Sequence, residues 1–204
     1  MDYEPRALRA LDRCAEVAVV RPPRGTGVPI VFNSPHSGRC YPRDFVARSA
    51  LPLRTLRLSE DFLVDELFSA APAAGAWLIA ATRPRSWIDL NRDRWELDPA
   101  LFADTLPERA DTGGERVRAG LGVLPRVVAD GHEIYAGKLT WREAQARLAA
   151  SYDPYHALLR RRLEELRARF GAALLIDCHS MPATAVNAMT PLGGRRPDVI
   201  LGDD

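Results

Sequence analysis

Short apolar runs alternate with amphipathic stretches along this chain, and the alternation predicts a sheet flanked by helices. Residues 28–33 and 76–81 have the length and apolar character of buried strands, and residues 172–177 form a third such run. Residues 140–170 carry apolar side chains every three or four positions, as a helix packed on one face does. Strands that alternate with helices indicate an α/β fold.

The spacing of apolar residues and the end signals predict where the helices lie. One helix is expected to open at Glu60 or Asp61, and residues 140–170 are expected to be helical with a break at Asp153-Pro154. Gly171 fits the position that follows a helix end. The side chains expected to face the core are Val64, Leu67 and Phe68 in the first helix and Tyr155, Leu159, Leu163, Leu166 and Phe170 in the second. Residues 83–125 are expected to form loops with short elements, and residues 198–201 to begin another strand.

The length of the chain suits one domain. Of its 204 residues, the first 27 are polar and rich in Arg, Pro and Gly, with a short apolar patch at residues 17–20. We therefore expect residues 1–27 to be an N-terminal extension and residues 28–204 to form a single domain. A hydrophobic content of 47% together with balanced charge excludes a disordered chain.

Charge and cysteine usage limit the partners and the compartment. The formal net charge is +1, without the basic excess of a nucleic-acid-binding protein. The sequence has no run of about 18 apolar residues, which predicts no membrane span, and its charged first residues lack the apolar stretch of a secretory signal. Cys14, Cys40 and Cys178 are odd in number and widely spaced, which predicts no disulfide framework and fits a cytoplasmic protein.

Two histidines follow predicted strands, where ligands collect in open α/β sheets. His36 comes after the first strand and His179 after the strand that ends at Asp177. Imidazoles that project from neighbouring strand ends are able to share a metal ion, and a carboxylate must complete the ligand set. Glu60, Asp61 and Asp65 are the candidate carboxylates. The alternative is that both histidines only cap strand ends.

An arginine-rich segment follows the second predicted strand. Arg83, Arg85, Arg92 and Arg94 are interleaved with apolar residues and with Asn91. Guanidinium groups bind carboxylates in a planar fork, and an adjacent amide is able to add a hydrogen bond. The segment therefore predicts an anion pocket. Because all but one of the 28 basic residues are arginines, a solvated loop is the alternative interpretation.

Four segments together resemble the signatures of the N-formylglutamate amidohydrolase (deformylase) family, in the family's order. They are Pro35-His36-Ser37-Gly38-Arg39-Cys40-Tyr41-Pro42, residues 60–67, residues 85–92 and Asp177-Cys178-His179-Ser180-Met181-Pro182. Residues 134–135 and 154–156 also fit the family. The resemblance extends from residue 29 to about residue 203, which is nearly the whole chain.

The resemblance implies a single three-layer α/β/α domain with a mixed sheet, similar to the zinc carboxypeptidases and the aspartoacylases. It also implies a zinc ion, or another divalent metal, with His36 and His179 as the histidine ligands. Asp61 is the acidic ligand that we expect on this basis. Glu60 and Asp65 stay open, because the separation from His36 is much longer than in the carboxypeptidase pattern.

The implied activity is hydrolysis of N-formyl-L-glutamate, or of a similar N-acyl acidic amino acid, to formate and glutamate in histidine degradation. The implied partner is therefore a small N-acyl amino acid. Asn91 and Arg92 match the pair that holds the substrate carboxylate, and Arg85 is expected to assist. Zinc would lower the pKa of water and polarise the formyl carbonyl.

Members of the family continue past the segment that ends this chain, into a strand that carries a Glu. By analogy with carboxypeptidases that Glu is the general base, and such help is worth about 10²–10⁴-fold in rate. We therefore expect that the chain lacks its C-terminal strand and helix. The general-base Glu is expected beyond Asp204, and we predict no catalytic base within residues 1–204. Two alternatives follow: a metal-retaining binding protein with impaired turnover, and a structural domain without a metal.

Overall fold

A mixed four-stranded sheet forms the centre of the computed structural model, which describes residues 15–128, 131–190 and 194–202. Its strands are β1 (Ala18–Arg21), β2 (Ile30–Ser34), β3 (Trp77–Ala81) and β4 (Leu174–Asp177). The strand order is β1-β3-β2-β4. β2 runs parallel to β3 and to β4, whereas β1 is antiparallel to β3. The mixed sheet confirms the predicted α/β class.

Helices and tight helical turns connect the strands. The α-helices are α1 (Arg43–Arg48), α2 (Leu53–Leu56), α3 (Val64–Leu67), α4 (Glu115–Arg118), α5 (Trp141–Arg147), α6 (Asp153–Phe170) and α7 (Ala183–Met189). Two 3₁₀ turns cover Arg57–Ser59 and Pro99–Leu101, and a π-helical turn covers Leu148–Tyr152. In the part of the chain that the structure describes, no helix has the length and apolar character needed to cross a bilayer.

The main hydrophobic core lies between the sheet, α6 and the long connection that follows β3. Val31 and Ile79 contribute from neighbouring strands, and Tyr155 contributes from α6. The connection supplies many of the remaining fully buried side chains, among them Ile88, Leu97, Leu124, Ile134 and Leu139. Residues 83–125 form irregular structure with short elements, as predicted. Their buried side chains pack in the core and hold the segment in place.

The parallel pairing of β2 and β4 brings two loops to one edge of the sheet. Asn33 on β2 pairs in register with Asp177 on β4. The Asn33 amide donates a hydrogen bond to the Asp177 carboxylate, and the Tyr155 hydroxyl donates one to Asn33 Oδ1. Because both strands end at this edge, His36 and His179 leave the sheet side by side.

The described residues differ from the sequence-based expectations in several places. Residues 18–21, assigned to an extension, form the edge strand β1, whose burial pattern shows one buried residue among four. Residues 198–201, expected to begin a strand, form none. Cys40 is disulfide-bonded, whereas Cys178 is a buried free thiol. The sequence predicted no disulfide framework, so the bond at Cys40 was not expected.

Some of the sequence-based expectations concern residues outside the described ranges. Asp204, which ends the predicted domain over residues 28–204, is one of them. The general-base Glu was expected beyond Asp204, so its position is not tested by the described residues and stays a prediction. The same holds for most of the N-terminal extension, because the described part of the chain starts at residue 15.

The helix expected to open at Glu60 or Asp61 begins only at Val64. Leu63 has a φ of 60°, in the left-handed region that favours glycine, so the chain turns sharply before α3. α3 ends after one turn, and Leu67 is 76% exposed instead of facing the core. The apolar spacing of this segment therefore predicted the helix and the packing of Val64 and Phe68, but not the helix length or the exposure of Leu67.

The long helical region is close to the prediction. The expected break at Asp153-Pro154 is a π-helical turn over Leu148–Tyr152, after which Pro154 occupies the first turn of α6. Gly171 ends α6 with a φ of 82°, as the helix-end signal predicted.

A capping box starts α5. The Thr140 hydroxyl accepts from the Glu143 backbone N–H, and the Glu143 carboxylate accepts from the Thr140 backbone N–H. The hydrogen bond from Thr140 is the main reason that the pKa of Glu143 falls from 4.5 to about 2.

Glu143→Ala is expected to lower the free energy of unfolding by about 1 kcal/mol at pH 7. Because the pKa of Glu143 is lowered in the folded chain, its contribution is present above the ordinary value of 4.5 and is lost as the pH falls towards 2. Urea denaturation should therefore show a gap between variant and wild type at pH 7 that narrows at pH 3. Glu164→Ala, at an exposed position of α6, is the control and should show no such gap.

Candidate metal centre

His36, Asp61 and His179 meet at the carboxyl edge of the sheet. Asp61 Oδ2 lies 3.3 Å from His36 Nδ1 and 2.9 Å from His179 Nδ1. One ligand atom from each residue lies within 4.8 Å of the others. His36 and Asp61 are buried, whereas the side chain of His179 is 33% exposed. The structure therefore brings together the three residues that were predicted as metal ligands.

The loop after β2 is held tightly against the end of β3. A Cβ added to Gly38 would lie 1.9 Å from the Arg83 carbonyl oxygen, so only glycine fits there. The Cys40 backbone N–H donates to Thr82 O, and the Asp61 backbone N–H donates to His36 O at 3.1 Å. These contacts place His36 beside Asp61, although 25 residues separate them in the sequence.

Asp89 holds the outer side of His36, and sequence reasoning did not assign it a role. Its Oδ1 lies 2.7 Å from His36 Nε2 and accepts from the Asn91 backbone N–H at 2.9 Å. Its Oδ2 accepts from Arg85 Nε at 2.9 Å. Asp89 is only 1% exposed. The sequence did offer one signal for a buried role of Asp89, since this acidic residue lies between the apolar residues Ile88 and Leu90.

The contacts around the cluster keep both of its carboxylates ionised. Burial alone would raise the pKa of Asp61, but the contacts with His179, His36 and the Ser180 hydroxyl hold it well below its usual range. Burial alone would also raise the pKa of Asp89, but the contacts with His36 and Arg85 lower that pKa by more. For His36, burial lowers the pKa, yet the contacts with the two carboxylates raise it above 6.5.

The cluster has the composition and spacing of a divalent-metal site. In the described part of the chain, His36 Nδ1 is buried and makes no well-aligned hydrogen bond, although Asp61 Oδ2 lies 3.3 Å away. A metal ion bound by both atoms would satisfy that nitrogen. A zinc ion about 2.1 Å from each ligand in a tetrahedron separates the ligand atoms by about 3.4 Å. The observed separations of 3.3 Å and 2.9 Å need little adjustment to reach that value. Two neutral imidazoles and one carboxylate are also a donor set that zinc accepts.

Glu60 and Asp65, the alternative acidic ligands, are engaged elsewhere. Glu60 Oε1 accepts from the Tyr41 hydroxyl at 2.7 Å and from Arg57 Nε at 3.1 Å. Asp65 pairs with Arg39 at 2.9 Å. Of the three candidates that the sequence left open, the structure places Asp61 with the two histidines.

The predicted substrate-binding residues line two different cavities. Arg85 lies with Asp61 and Ser180 on a cavity of about 550 Å³. Asn91 and Arg92 line a second cavity of about 350 Å³. Arg92 Nε is 3.8 Å from Asp89 Oδ2, and among the described residues it has no hydrogen-bond partner. Arg85 and Arg92 therefore line separate cavities, although both side chains lie within 3.8 Å of Asp89 Oδ2.

The fold and this cluster define an α/β protein with a candidate metal centre at the carboxyl edge of its sheet. The family profile of N-formylglutamate amidohydrolase matches residues 28–204. The chain belongs to the N-formylglutamate amidohydrolase family.

Individual relatives agree with this family. The chain is 29% identical over 180 residues to N-formylglutamate deformylase of Pseudomonas putida and 30% identical over 177 residues to that of Pseudomonas aeruginosa. Each alignment covers 86% of this chain and 59% of the relative. The chain therefore spans about three fifths of the length of these curated relatives.

Solved structures show the same fold. The crystal structure of N-formylglutamate amidohydrolase from Ralstonia eutropha JMP134 matches with a TM-score of 0.79 and 38% identity, over 90% of this chain and 64% of that one. A gene product of Agrobacterium tumefaciens matches with a TM-score of 0.53 at 18% identity, over 82% of this chain and 58% of that one. The second match bears on the fold alone.

Proposed function

We propose that the chain provides the metal centre of a zinc-dependent amidohydrolase that cleaves N-formyl-L-glutamate, or a similar N-acyl acidic amino acid, to formate and the amino acid. The observation that carries the proposal is the His36–Asp61–His179 cluster, in which the buried His36 Nδ1 makes no well-aligned hydrogen bond. Membership of the N-formylglutamate amidohydrolase family supports the substrate class. Release of glutamate and formate would suit a step of histidine degradation.

His36, Asp61 and His179 would hold the ion. When bound, a divalent metal supplies Lewis-acid chemistry, which lowers the pKa of water and polarises an amide carbonyl. Asp89 fixes the ring of His36 through Nε2, and Ser180 donates to Asp61 Oδ1 at 2.8 Å. Outer hydrogen bonds of this kind set the orientation and the basicity of the ligands.

The two arginines would bind the anionic part of the substrate. Arg92 lines the second cavity, so its guanidinium would offer a charge-assisted hydrogen bond to a carboxylate that enters there. Arg85 Nε is bound to Asp89, which leaves the terminal guanidinium nitrogens for a group in the larger cavity. Holding the substrate by its carboxylates orients the amide for attack.

Zinc content and formate release test the proposal together. The purified chain should take up about one zinc ion, measured by elemental analysis, and should release formate from N-formylglutamate faster with zinc than without it. Zinc uptake without formate release would instead favour a metal-retaining binding protein. A chain that takes up no zinc would contradict the metal centre.

Arg92→Ala is expected to raise the KM for N-formylglutamate at least about tenfold, because a charge-assisted hydrogen bond is worth about 1.5–3 kcal/mol. The value of kcat should change much less. Arg94→Ala is the matched control, since the Arg94 guanidinium is already bound to Asp153 at 2.8 Å. Steady-state formate release gives both constants, and an unchanged KM in Arg92→Ala would remove this residue from the substrate site.

A further inference from the structure

We infer that Asn91 is a positioning residue that orients the metal ligand His179, and not a ligand of the substrate carboxylate. The side-chain amide nitrogen of Asn91, Nδ2, lies 3.1 Å from His179 Nε2. The other ring nitrogen, Nδ1, faces Asp61 Oδ2 at 2.9 Å, inside the metal-ligand cluster. The amide therefore contacts the ring nitrogen of His179 that does not face Asp61. The inference rests on the metal centre of the proposed function.

The Asn91 amide is needed because of the tautomer that His179 adopts as a metal ligand. A histidine that offers Nδ1 to a metal carries its hydrogen on Nε2, and that N–H needs an acceptor. The Asn91 amide supplies one when it is turned by half a rotation, so that Oδ1 replaces Nδ2 beside the ring. The two ends of an amide have nearly the same shape, so this exchange needs no other change. The hydrogen bond then fixes both the tautomer and the rotation of the His179 ring.

Asn91 and Asp89 hold the two histidines from one segment of chain. Asp89 Oδ1 accepts from the Asn91 backbone N–H and also contacts His36 Nε2. Between them, Leu90 is buried in the core, and its carbonyl oxygen lies 3.0 Å from His156 Nε2. The outer nitrogens of both imidazoles are thus held by side chains two residues apart on an anchored segment.

Two substitutions separate positioning from substrate binding. Asn91→Leu removes the acceptor, whereas Asn91→Asp keeps an acceptor and adds a negative charge. If Asn91 positions His179, zinc affinity should fall about tenfold or more in Asn91→Leu and should be retained within about threefold in Asn91→Asp. If Asn91 binds the substrate carboxylate, both variants should bind zinc normally, and Asn91→Asp should raise the KM most, through repulsion between like charges.

The dissociation constant for zinc is measured by competition with a chromogenic chelator, so the readout does not depend on activity. Asn187→Leu, at an exposed position of α7, is the control and should leave zinc affinity unchanged. Circular dichroism checks that each variant is folded, and Asn91→Ala replaces Asn91→Leu if leucine is not tolerated. Unchanged zinc affinity in a folded Asn91→Leu or Asn91→Ala variant overturns the inference. If the wild type binds zinc but releases no formate, the proposed activity fails and the zinc measurements still decide the role of Asn91.

Discussion

His36→Ala is expected to reduce zinc uptake from about one ion per chain to nearly none at micromolar protein concentration. The cluster offers three protein ligands, and a catalytic zinc site uses three. Without His36, the ion would have two protein ligands, Asp61 and the partly exposed His179. Water would fill the space that the His36 ring occupies. The same loss is expected for His179→Ala. Elemental analysis after dialysis against trace zinc measures the outcome.

The exposed residue His132 provides the matched control for both substitutions. His132→Ala removes an imidazole outside the cluster and should keep the full zinc content. A global loss of structure would also lower zinc uptake, so the folded state of each variant is checked by circular dichroism. Full zinc content in both His36→Ala and His179→Ala would show that the ion binds elsewhere.

The strands that could be predicted are those with apolar runs. β2, β3 and β4 each begin with at least three consecutive apolar residues. β1 also begins with three apolar residues, but the segment around it is polar and rich in Arg, Pro and Gly, and the strand itself buries only Ala18. Because β1 and β4 both lie at edges of the sheet and β4 was predicted, the polar surroundings of β1, and not its edge position, explain why it was missed.

The histidines of the candidate site could be predicted because each follows an apolar strand, and parallel strands end at one edge. The acidic ligand could not be chosen from spacing alone. Its position depends on the 3₁₀ turn at Arg57–Ser59, the left-handed residue Leu63 and the close approach at Gly38. Asp89 was missed for a related reason, since 53 residues separate it from His36 and only the folded loop joins them.

Asp89→Ala is expected to have the largest effect on stability, lowering the free energy of unfolding by about 3 kcal/mol. The substitution leaves His36 Nε2 buried without a partner and releases Arg85 and the Asn91 backbone N–H from their acceptor. Zinc affinity should fall about 10–100-fold as well, because the ring of His36 loses the group that orients it. Urea denaturation with a chelator present isolates the first effect from the stabilisation that bound zinc adds.

Two further variants test what makes Asp89 important. The first separates its charge from its volume, and the second tests whether any acidic residue in this segment has the same effect. Asp89→Asn keeps the shape and one acceptor but loses the charge, so its loss of stability and of zinc affinity should be smaller than that of the alanine variant. Asp93→Ala removes an exposed carboxylate whose contact is with the Trp95 backbone N–H, and it should cost less than about 1 kcal/mol. If Asp89→Ala matched Asp93→Ala in both stability and zinc affinity, Asp89 would have no part in orienting His36. A graded series from Asp to Asn to Ala would instead show that the fold and the metal centre depend on the same buried carboxylate.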